Sequence, residues 1–281
     1  MHLLILGTIA YSLFAITVRA AQRRSCNMLA VGMINYLVAA AVYVLLSRES
    51  GVPEWRFGLL GAASGIVFAV GYVVLAQTLR RKGLSLTTGI TQLAVLFPVV
   101  AGIFLYAEQP SSLQVVGVVC ALVALPLLAL VRDSVSDGGI RSRAPGLALL
   151  VTAGTAMVLL QSVNHVSSGS SEERRLFFAI LFSVALVTTT IAWAIFERRV
   201  TRVDLAYGAA LGSWNATHGF MLVGAMKTLP GMVVWPAVSA GSLMLSVLVG
   251  VMLWDERLGS TARIGIGLAL VAVVCINAGR G

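Results

Sequence analysis

Polar side chains that could contact a ligand lie in the middle of long apolar stretches of this sequence. Asn35, Gln92 and Asn215 carry amides, and each amide can take part in up to four hydrogen bonds. Polar groups in hydrocarbon normally face a helix-bundle interior or a cavity, because burying them without a partner costs free energy. The residues that we expect to contact a substrate are Tyr11, Asn35, Tyr36, Gln92, Trp214, Asn215, His218 and Trp235.

Each of these residue types also has a purely structural interpretation. Serine and threonine in membrane helices commonly bond their own backbone, and a single amide often joins two helices. The two tryptophans can serve as core packing, and His218 can be a neutral histidine bonded by a neighbouring helix. The same alternatives hold for the other polar residues near mid-depth, which are Tyr72, Thr88, Thr91, Thr155, Ser183, Ser239 and Ser242.

Charged groups are missing from the middle of the apolar stretches. Without a deep Asp or Glu, exchange of protons for lipophilic cations lacks its central residue, and without a deep Lys or Arg a phosphorylated substrate lacks a cationic clamp. The site should therefore be neutral and suit a zwitterion, a sugar or polyol, or a small aromatic metabolite. Catalysis, metals and cofactors are not expected: the three histidines have no mid-depth carboxylate beside them, and the three cysteines are scattered. The histidines are His2, His165 and His218, and the cysteines are Cys26, Cys120 and Cys275.

The elements that position these residues must be membrane helices. Of 281 residues, 58% are hydrophobic and 11% are charged, and the apolar blocks are long enough to cross a bilayer core of about 30 Å. They lack the period-two alternation of porin strands, so the fold is predicted to be all-α and polytopic. We expect ten transmembrane spans near 2–20, 27–47, 56–79, 84–106, 112–131, 145–163, 175–196, 203–226, 230–253 and 260–278.

The second half of the chain resembles the first. A shift of 148 residues without a gap pairs Glu108 with Glu256 and Gly117 with Gly265, and it lays residues 121–124 over 269–272. The repeats should be residues 1–134 and 135–281, with five helices each. Because five is odd, the second repeat enters the membrane from the opposite face, which gives two inverted repeats.

Charge and small residues add orientation and candidate moving parts. Fourteen of the twenty basic residues fall in the loops after odd-numbered spans, so the positive-inside rule places both termini outside. This clustering between spans argues against nucleic-acid binding. Pro98 and Pro236 could supply bends for a gate, and Glu108 and Glu256 are interpreted as hinges or caps beside Ser112 and Ser260, which could cap the next helices.

Glycines recur in equivalent spans at a spacing that favours close helix packing. They are Gly61 and Gly65 in the third span and Gly208 and Gly212 in the eighth.

One pattern resembles a known family. Pro98 in an apolar span, then Glu108, then Gln114 and Gly117 opening the next span, resembles the EamA-type modules of the drug/metabolite transporter superfamily. The second half repeats it through Pro236, Glu256 and Gly265, with the proline earlier and Ala262 in place of the glutamine. The resemblance implies two inverted five-helix halves around a central cavity, secondary transport of small metabolites, and both termini in the cytoplasm, the reverse of the charge-based orientation.

The leading hypothesis is a secondary transporter of small neutral or zwitterionic metabolites, such as amino acids or sugars, working by alternating access in the inner (plasma) membrane. Its expected partners are a small-molecule substrate and membrane lipids, and a monomer is expected. Two alternatives are a non-transporting membrane subunit and an intramembrane lipid-modifying enzyme.

Overall fold

The part of the chain that the structure describes is built from helices, without a strand. The computed structural model describes residues 2–48, 54–129, 144–166, 170–254 and 260–278. The helices are α1 His2–Arg23, α2 Met28–Leu46, α3 Trp55–Leu93, α4 Leu96–Phe104, α5 Ser112–Ala129, α6 Ala144–Val166, α7 Ser171–Phe196, α8 Arg202–Ala225, α9 Gly231–Trp254 and α10 Ser260–Ala278.

Several helices have the length and apolar character of membrane spans. Five described stretches are long and apolar enough to cross a bilayer: His2–Arg23, Met28–Leu46, Trp55–Thr78, Ala144–Val166 and Ser171–Phe196. Shorter apolar stretches occur in α4, α5, α9 and α10. The prediction of an all-α, multi-pass membrane protein is therefore confirmed, whereas the count of ten crossings stays a prediction.

Most helix boundaries agree with the predicted spans, except that α3 shows no gap between the predicted third and fourth spans. The helix α3 continues through Gly83, where a turn was expected, and ends at Leu93. The break falls at Ala94 and Val95 because Pro98, four residues after Ala94, has no N–H to donate to the Ala94 carbonyl.

The chain nevertheless reverses direction where two antiparallel spans were expected. Along α3 and α6 the contacts run antiparallel, since Gly71 lies against Thr152 and the Thr78 hydroxyl donates to the carbonyl of Pro145, 3.3 Å away. Along α4 and α6 they run parallel, from Phe97 at Gly154 to Tyr106 at Ser162. The reversal therefore lies between Thr78 and Phe97.

Helix caps differ from the expected ones. The Ser111 hydroxyl accepts from the backbone N–H of Gln114 at 3.3 Å, and the Gln114 side chain accepts from the backbone N–H of Ser111 at 2.9 Å. This reciprocal pair begins α5, so Ser111 is the cap and not Ser112. Glu256 lies outside the described residues, and Ser260 is the first residue of α10.

The helices pack in two matching sets. When α1–α5 are exchanged with α6–α10, the pair α1 and α8 becomes α6 and α3, and the pair α2 and α8 becomes α7 and α3. All four pairs are in extensive contact, and α2 with α7 and α5 with α10 are each their own counterpart. The helix α7 carries the largest fully buried side chains, Phe177, Phe178 and Phe182. Phe178 and Phe182 stack on Tyr43 of α2, and Phe177 meets Phe57 of α3.

Close approach of these pairs depends on the glycines that the sequence singled out. A Cβ on Gly65 would lie 2.5 Å from the carbonyl oxygen of Leu181 in α7, and a Cβ on Gly212 would lie 2.6 Å from that of Asn35 in α2. Gly61 and Gly208, one turn earlier, meet the same helices. Backbone can approach backbone here only because no side chain intervenes.

These contacts also refine the repeat. Gly65 and Gly212 are 147 residues apart, but their partners Leu181 and Asn35 are 146 apart. The ungapped shift of 148 residues therefore does not align these contacts, because the offset between equivalent residues differs by one or two residues from helix to helix.

An aromatic side chain and a glycine exchange places between the halves. In the first half the ring of Tyr72 from α3 fills the space beside Gly32 of α2. In the second, the ring of Phe178 from α7 fills the space beside Gly219 of α8. Each contact pairs one aromatic side chain with one glycine, so the two contacts fill a similar volume. In the first half the ring comes from α3, and in the second half it comes from α7, the counterpart of α2.

Candidate functional site

Two predicted amides meet in the bundle interior. Asn215 Nδ2 of α8 donates to Asn35 Oδ1 of α2 at 3.2 Å, and Gly212, one turn before Asn215, lets the two helices approach. Asn35 is fully buried, and its Nδ2 has no hydrogen-bond partner in the described structure. The pair is thus an interhelical bond that leaves one amide donor available.

His218 and Tyr11 form a second predicted contact. Their rings stack with centroids 4.6 Å apart, and His218 Nδ1 lies 3.0 Å from the carbonyl oxygen of Gly7 in α1. A carbonyl only accepts, so Nδ1 carries the proton and Nε2 of a neutral ring is an acceptor. Asn215 and His218 are three residues apart on α8 and therefore share one face of the helix.

Tyr36 belongs to a third group, in which Tyr72 is the residue with a free hydroxyl. The Tyr36 hydroxyl donates to the carbonyl of Phe68 at 3.0 Å, so it is occupied by backbone. Its ring meets Tyr72 edge-on at 6.0 Å and lies 6.3 Å from Phe182. The buried Tyr72 hydroxyl has no partner in the described structure, which makes Tyr72 a better candidate than Tyr36.

The remaining predicted residues stand apart from these groups. Trp235 is 4% exposed on α9, and its Nε1 has no partner in the described part of the chain. Gln92 is buried two residues before the α3 break, and its carbonyl accepts from Val95 at 3.3 Å. Trp214 is half-buried on α8. Across the described residues, none of the three bonds or stacks with the other predicted side chains.

Another buried polar atom escaped the sequence reasoning. Thr189 of α7 is fully buried, and its Oγ1 has no partner among the described residues. It stands in the run Thr188–Thr190, and Thr188 instead bonds the carbonyl of Val184 at 2.9 Å, the self-contained bond expected of a threonine in a membrane helix. Burial of Thr189 beside α2 and α3 was not readable from composition.

The two prolines affect their helices differently. Pro98 accompanies the break between α3 and α4, and the turn there is closed by a bond from Phe97 N–H to Ala94 O at 3.1 Å. Pro236 lies inside α9, which continues through it. A break in the helix is thus found at Pro98 and not at Pro236, which interrupts the bonding of α9 only by its missing N–H. A gating role for either residue stays a prediction.

Glu108, in the segment between α4 and α5, bonds two other helices, α6 and α9, through its carboxylate. Its Oε1 accepts from Gln161 Nε2 of α6 and from the Gly231 N–H, both at 2.9 Å, and its Oε2 accepts from the Met232 N–H at 2.8 Å. His165 Nε2 lies 3.7 Å from Oε1. Glu108 therefore caps the N-terminus of α9, where the helix dipole favours a negative charge.

The backbone around Glu108 is shaped for this contact. Ala107 has a φ of 48°, a left-handed conformation that non-glycine residues seldom adopt, and it redirects the chain after α4. A Cβ on Gly102 would lie 2.7 Å from Glu108 Oε2, and one on Gly231 would lie 2.5 Å from the Gln161 side chain. The prediction of a cap is thus correct in kind, but the capped helix is α9 and not α5.

The polar groups of the interior can bind a ligand by hydrogen bonds. The buried acids Glu108 and Asp204 are engaged at helix N-termini, Asp204 in the capping box of α8. Among the described residues, no group of three His, Cys, Asp or Glu side chains could hold a metal ion. What the interior offers are single hydroxyl, amide and indole groups.

Two comparisons with known proteins share a description that refers to sugar transport or uptake. Residues 1–132 match the family model described as Sugar transport protein. An uncharacterized protein of Haemophilus influenzae is 21% identical over 98% of this chain and 97% of its own length. An Enterococcus faecalis protein described as "Putative sugar uptake protein" is 24% identical over 43% of this chain and 42% of its own length.

A solved crystal structure of another protein has the same fold. Its TM-score against this chain is 0.79 at 15% sequence identity, and the superposition covers 97% of this chain and 94% of the other. The EamA assignment stays a prediction. The family-model match and the Enterococcus relative support the coarser conclusion that this multi-pass membrane protein is a transporter.

Proposed function

We propose that the protein is a secondary transporter that carries small neutral or zwitterionic, oxygen-rich metabolites across the inner membrane by alternating access. The observation that carries the proposal is a set of buried polar atoms without partners on four helices of both halves. They are Asn35 Nδ2, Tyr72 Oη, Thr189 Oγ1 and Trp235 Nε1. A buried polar group without a partner costs about 1–3 kcal/mol, so a substrate or water molecule that bonds them is favoured.

The chemistry of these atoms suggests the substrate class. The Asn35 Nδ2 and Trp235 Nε1 atoms only donate, whereas the hydroxyls of Tyr72 and Thr189 donate or accept. A ligand rich in hydroxyl or carbonyl oxygens offers partners for each of these kinds of atom, and aromatic rings add apolar contact area. Sugars have this chemistry, and the descriptions of the family model and the Enterococcus protein favour them over amino acids.

Two inverted repeats, residues 1–134 and 135–281, would provide the moving parts. The matching helix pairs and the glycine contacts shared by α3 with α7 and by α8 with α2 support this arrangement. The family match ends at residue 132, close to the proposed boundary. In such a protein the halves rock about a central site and open it to each side in turn.

The test is uptake of labelled sugars and amino acids into proteoliposomes. Replacing Asn215 by Leu removes the bond that holds Asn35, and replacing Gln92 by Leu removes the predicted α3 amide. Each change should lower substrate flux about tenfold or more while expression is unchanged, since one hydrogen bond is worth about 1 kcal/mol or more in a buried site. Thr217→Val is the matched control on α8, because Thr217 is exposed and bonds only the carbonyl of Ser213.

Two results would count against the proposal. Wild-type flux indistinguishable from empty liposomes for every substrate in the panel would contradict transport. Full flux in both the Asn215 and Gln92 variants would remove these residues from the site and leave the transport activity standing.

A further inference from the structure

Arg174 is a buried cation at the first turn of α7. Only 8% of its surface is exposed, and its Nε and Nη1 atoms are buried without hydrogen-bond partners in the described structure. The guanidinium carbon lies 5.5 Å from the centre of the Phe220 ring of α8. The Phe220 ring faces one side of the guanidinium, and the Nε and Nη1 donors lie in the plane of the group without an acceptor among the described residues.

The surroundings of Arg174 are aromatic with one further free hydroxyl. Tyr43 of α2 lies 5.1 Å from Phe178 and 6.4 Å from Phe220, ring centre to ring centre. Because α2 and α7 run antiparallel, Ser47 after the end of α2 lies near the level of Arg174. The Ser47 Oγ is also buried without a partner among the described residues.

The charged neighbours do not neutralise Arg174. Glu173 and Arg175 are adjacent on α7; no ion pair between Glu173 and Arg174 is present in the described structure, and Glu173 Oε2 and Arg175 Nε are themselves unpartnered. From α2, the nearest charged residue along the chain is Arg48, which is a cation as well. Among the described residues, Arg174 therefore forms no ion pair with an acidic side chain, and its Nε and Nη1 donors stay without an acceptor.

The depth of Arg174 in the membrane suggests the source of an anion that could pair with it. At about 1.5 Å per residue, the 26 residues of α7 span about 39 Å, longer than a hydrocarbon core of about 30 Å. The first turn of α7 therefore reaches the level of lipid headgroups, where phosphate groups are concentrated. Guanidinium matches phosphate oxygens with two parallel N–H···O bonds.

We propose that Arg174 binds a phosphate oxyanion through its Nε and Nη1 donors, with Phe220 against the guanidinium face and the Ser47 hydroxyl as an additional donor. The same chemistry can be supplied by the headgroup of an anionic phospholipid or by free phosphate. Either would bring a counter-charge to a cation that is otherwise buried without one, a state that is costly.

Thermal unfolding of the full chain in detergent tests the proposal. One arm adds dioleoylphosphatidylglycerol, a second adds inorganic phosphate, and a third adds dioleoylglycerol, which has the same acyl chains without phosphate. A ligand that binds the folded state raises the melting temperature as its concentration increases, and the midpoint of this increase gives an apparent affinity.

Wild-type protein should be stabilised by at least one of the phosphate-bearing ligands and not by dioleoylglycerol. Arg174→Gln should weaken that affinity about tenfold or more, which is the size expected for loss of a charged hydrogen bond, and Arg174→Lys should retain part of it. Arg56→Gln is the matched control, because Arg56 is an exposed cation over Trp55 at the same end of the bundle. It should leave the affinity unchanged.

The arms also separate the two sources. Stabilisation by phosphatidylglycerol alone assigns a lipid headgroup, and stabilisation by inorganic phosphate assigns a free anion. The proposal is overturned if neither ligand stabilises the wild type, if Arg174→Gln binds as tightly as the wild type, or if Arg56→Gln weakens binding as much as Arg174→Gln.

Discussion

Glu108 is the residue whose replacement should most directly disturb packing between the halves. Its carboxylate accepts three hydrogen bonds, two from backbone N–H groups at the start of α9 and one from Gln161. In Glu108→Gln the charge is lost, and one carboxylate oxygen becomes an amide that cannot accept. Whichever way the new amide turns, at least one of the three donors loses its acceptor.

The expected cost follows from this count. One orphaned donor costs about 1–3 kcal/mol, and two bonds that change from charged to neutral lose about 1 kcal/mol each, so the total is at least about 3 kcal/mol. Loss of the favourable interaction with the α9 dipole acts in the same direction. For a chain of this size, about 3 kcal/mol corresponds to a decrease in melting temperature of about 6 °C or more.

Thermal unfolding in detergent, followed by helical circular dichroism, measures this decrease. Glu54→Gln is the matched control, since Glu54 is exposed at the start of α3 and makes no side-chain cap bond. Its melting temperature should stay within about 1 °C of the wild type, as for an ordinary surface change. If Glu108→Gln melts as high as Glu54→Gln, the carboxylate does not stabilise the start of α9 and the reasoning is wrong.

Two further predictions concern packing and thiol chemistry. Gly32→Ala should lower the free energy of unfolding by about 1–3 kcal/mol, because the new methyl group collides with the Tyr72 ring. Chemical denaturation measures this loss, and adding Tyr72→Leu should recover part of it. Equal stability of Gly32→Ala and the wild type would contradict the contact. Burial, and then the nearby Asp204 carboxylate, raise the pKa of the Cys26 thiol, so iodoacetamide labelling of a variant whose other two cysteines are Ala should rise with pH only above the usual thiol range. Asp204→Asn should move that labelling curve to lower pH, and an unmoved curve would exclude the carboxylate as a cause.

The sequence predicted the helices well because apolar block length is a local property. It predicted a gap in the helix at Arg80, Arg81, Lys82 and Gly83, where the residues are helical, although the chain does reverse direction between Thr78 and Phe97. The interruption of the helix lies before Pro98, whose missing N–H acts four residues upstream. The position of the proline was visible, but it was interpreted as a bend within a span and not as the end of one.

The candidate site was predictable in residue type but not in partnership. Asn35 with Asn215, and Tyr11 with His218, were singled out as polar groups in apolar helices, and they meet. The sequence could not show that the Tyr36 hydroxyl is used by backbone while that of Tyr72 is free. Such a difference depends on side-chain direction across three helices, which no spacing within one helix determines.

The glycine contacts have a consequence for how the two halves can change. Gly65 with Leu181 and Gly212 with Asn35 bridge the halves, and both bridges use a glycine against backbone. The contacts of Tyr72 with Gly32 and of Phe178 with Gly219 are internal to one half, and there the ring has moved to the other helix. A substitution at a bridge must suit two different segments at once, whereas an internal contact can be rebuilt locally. The packing within each half is therefore free to diverge, whereas the glycine contacts between the halves are constrained to stay alike.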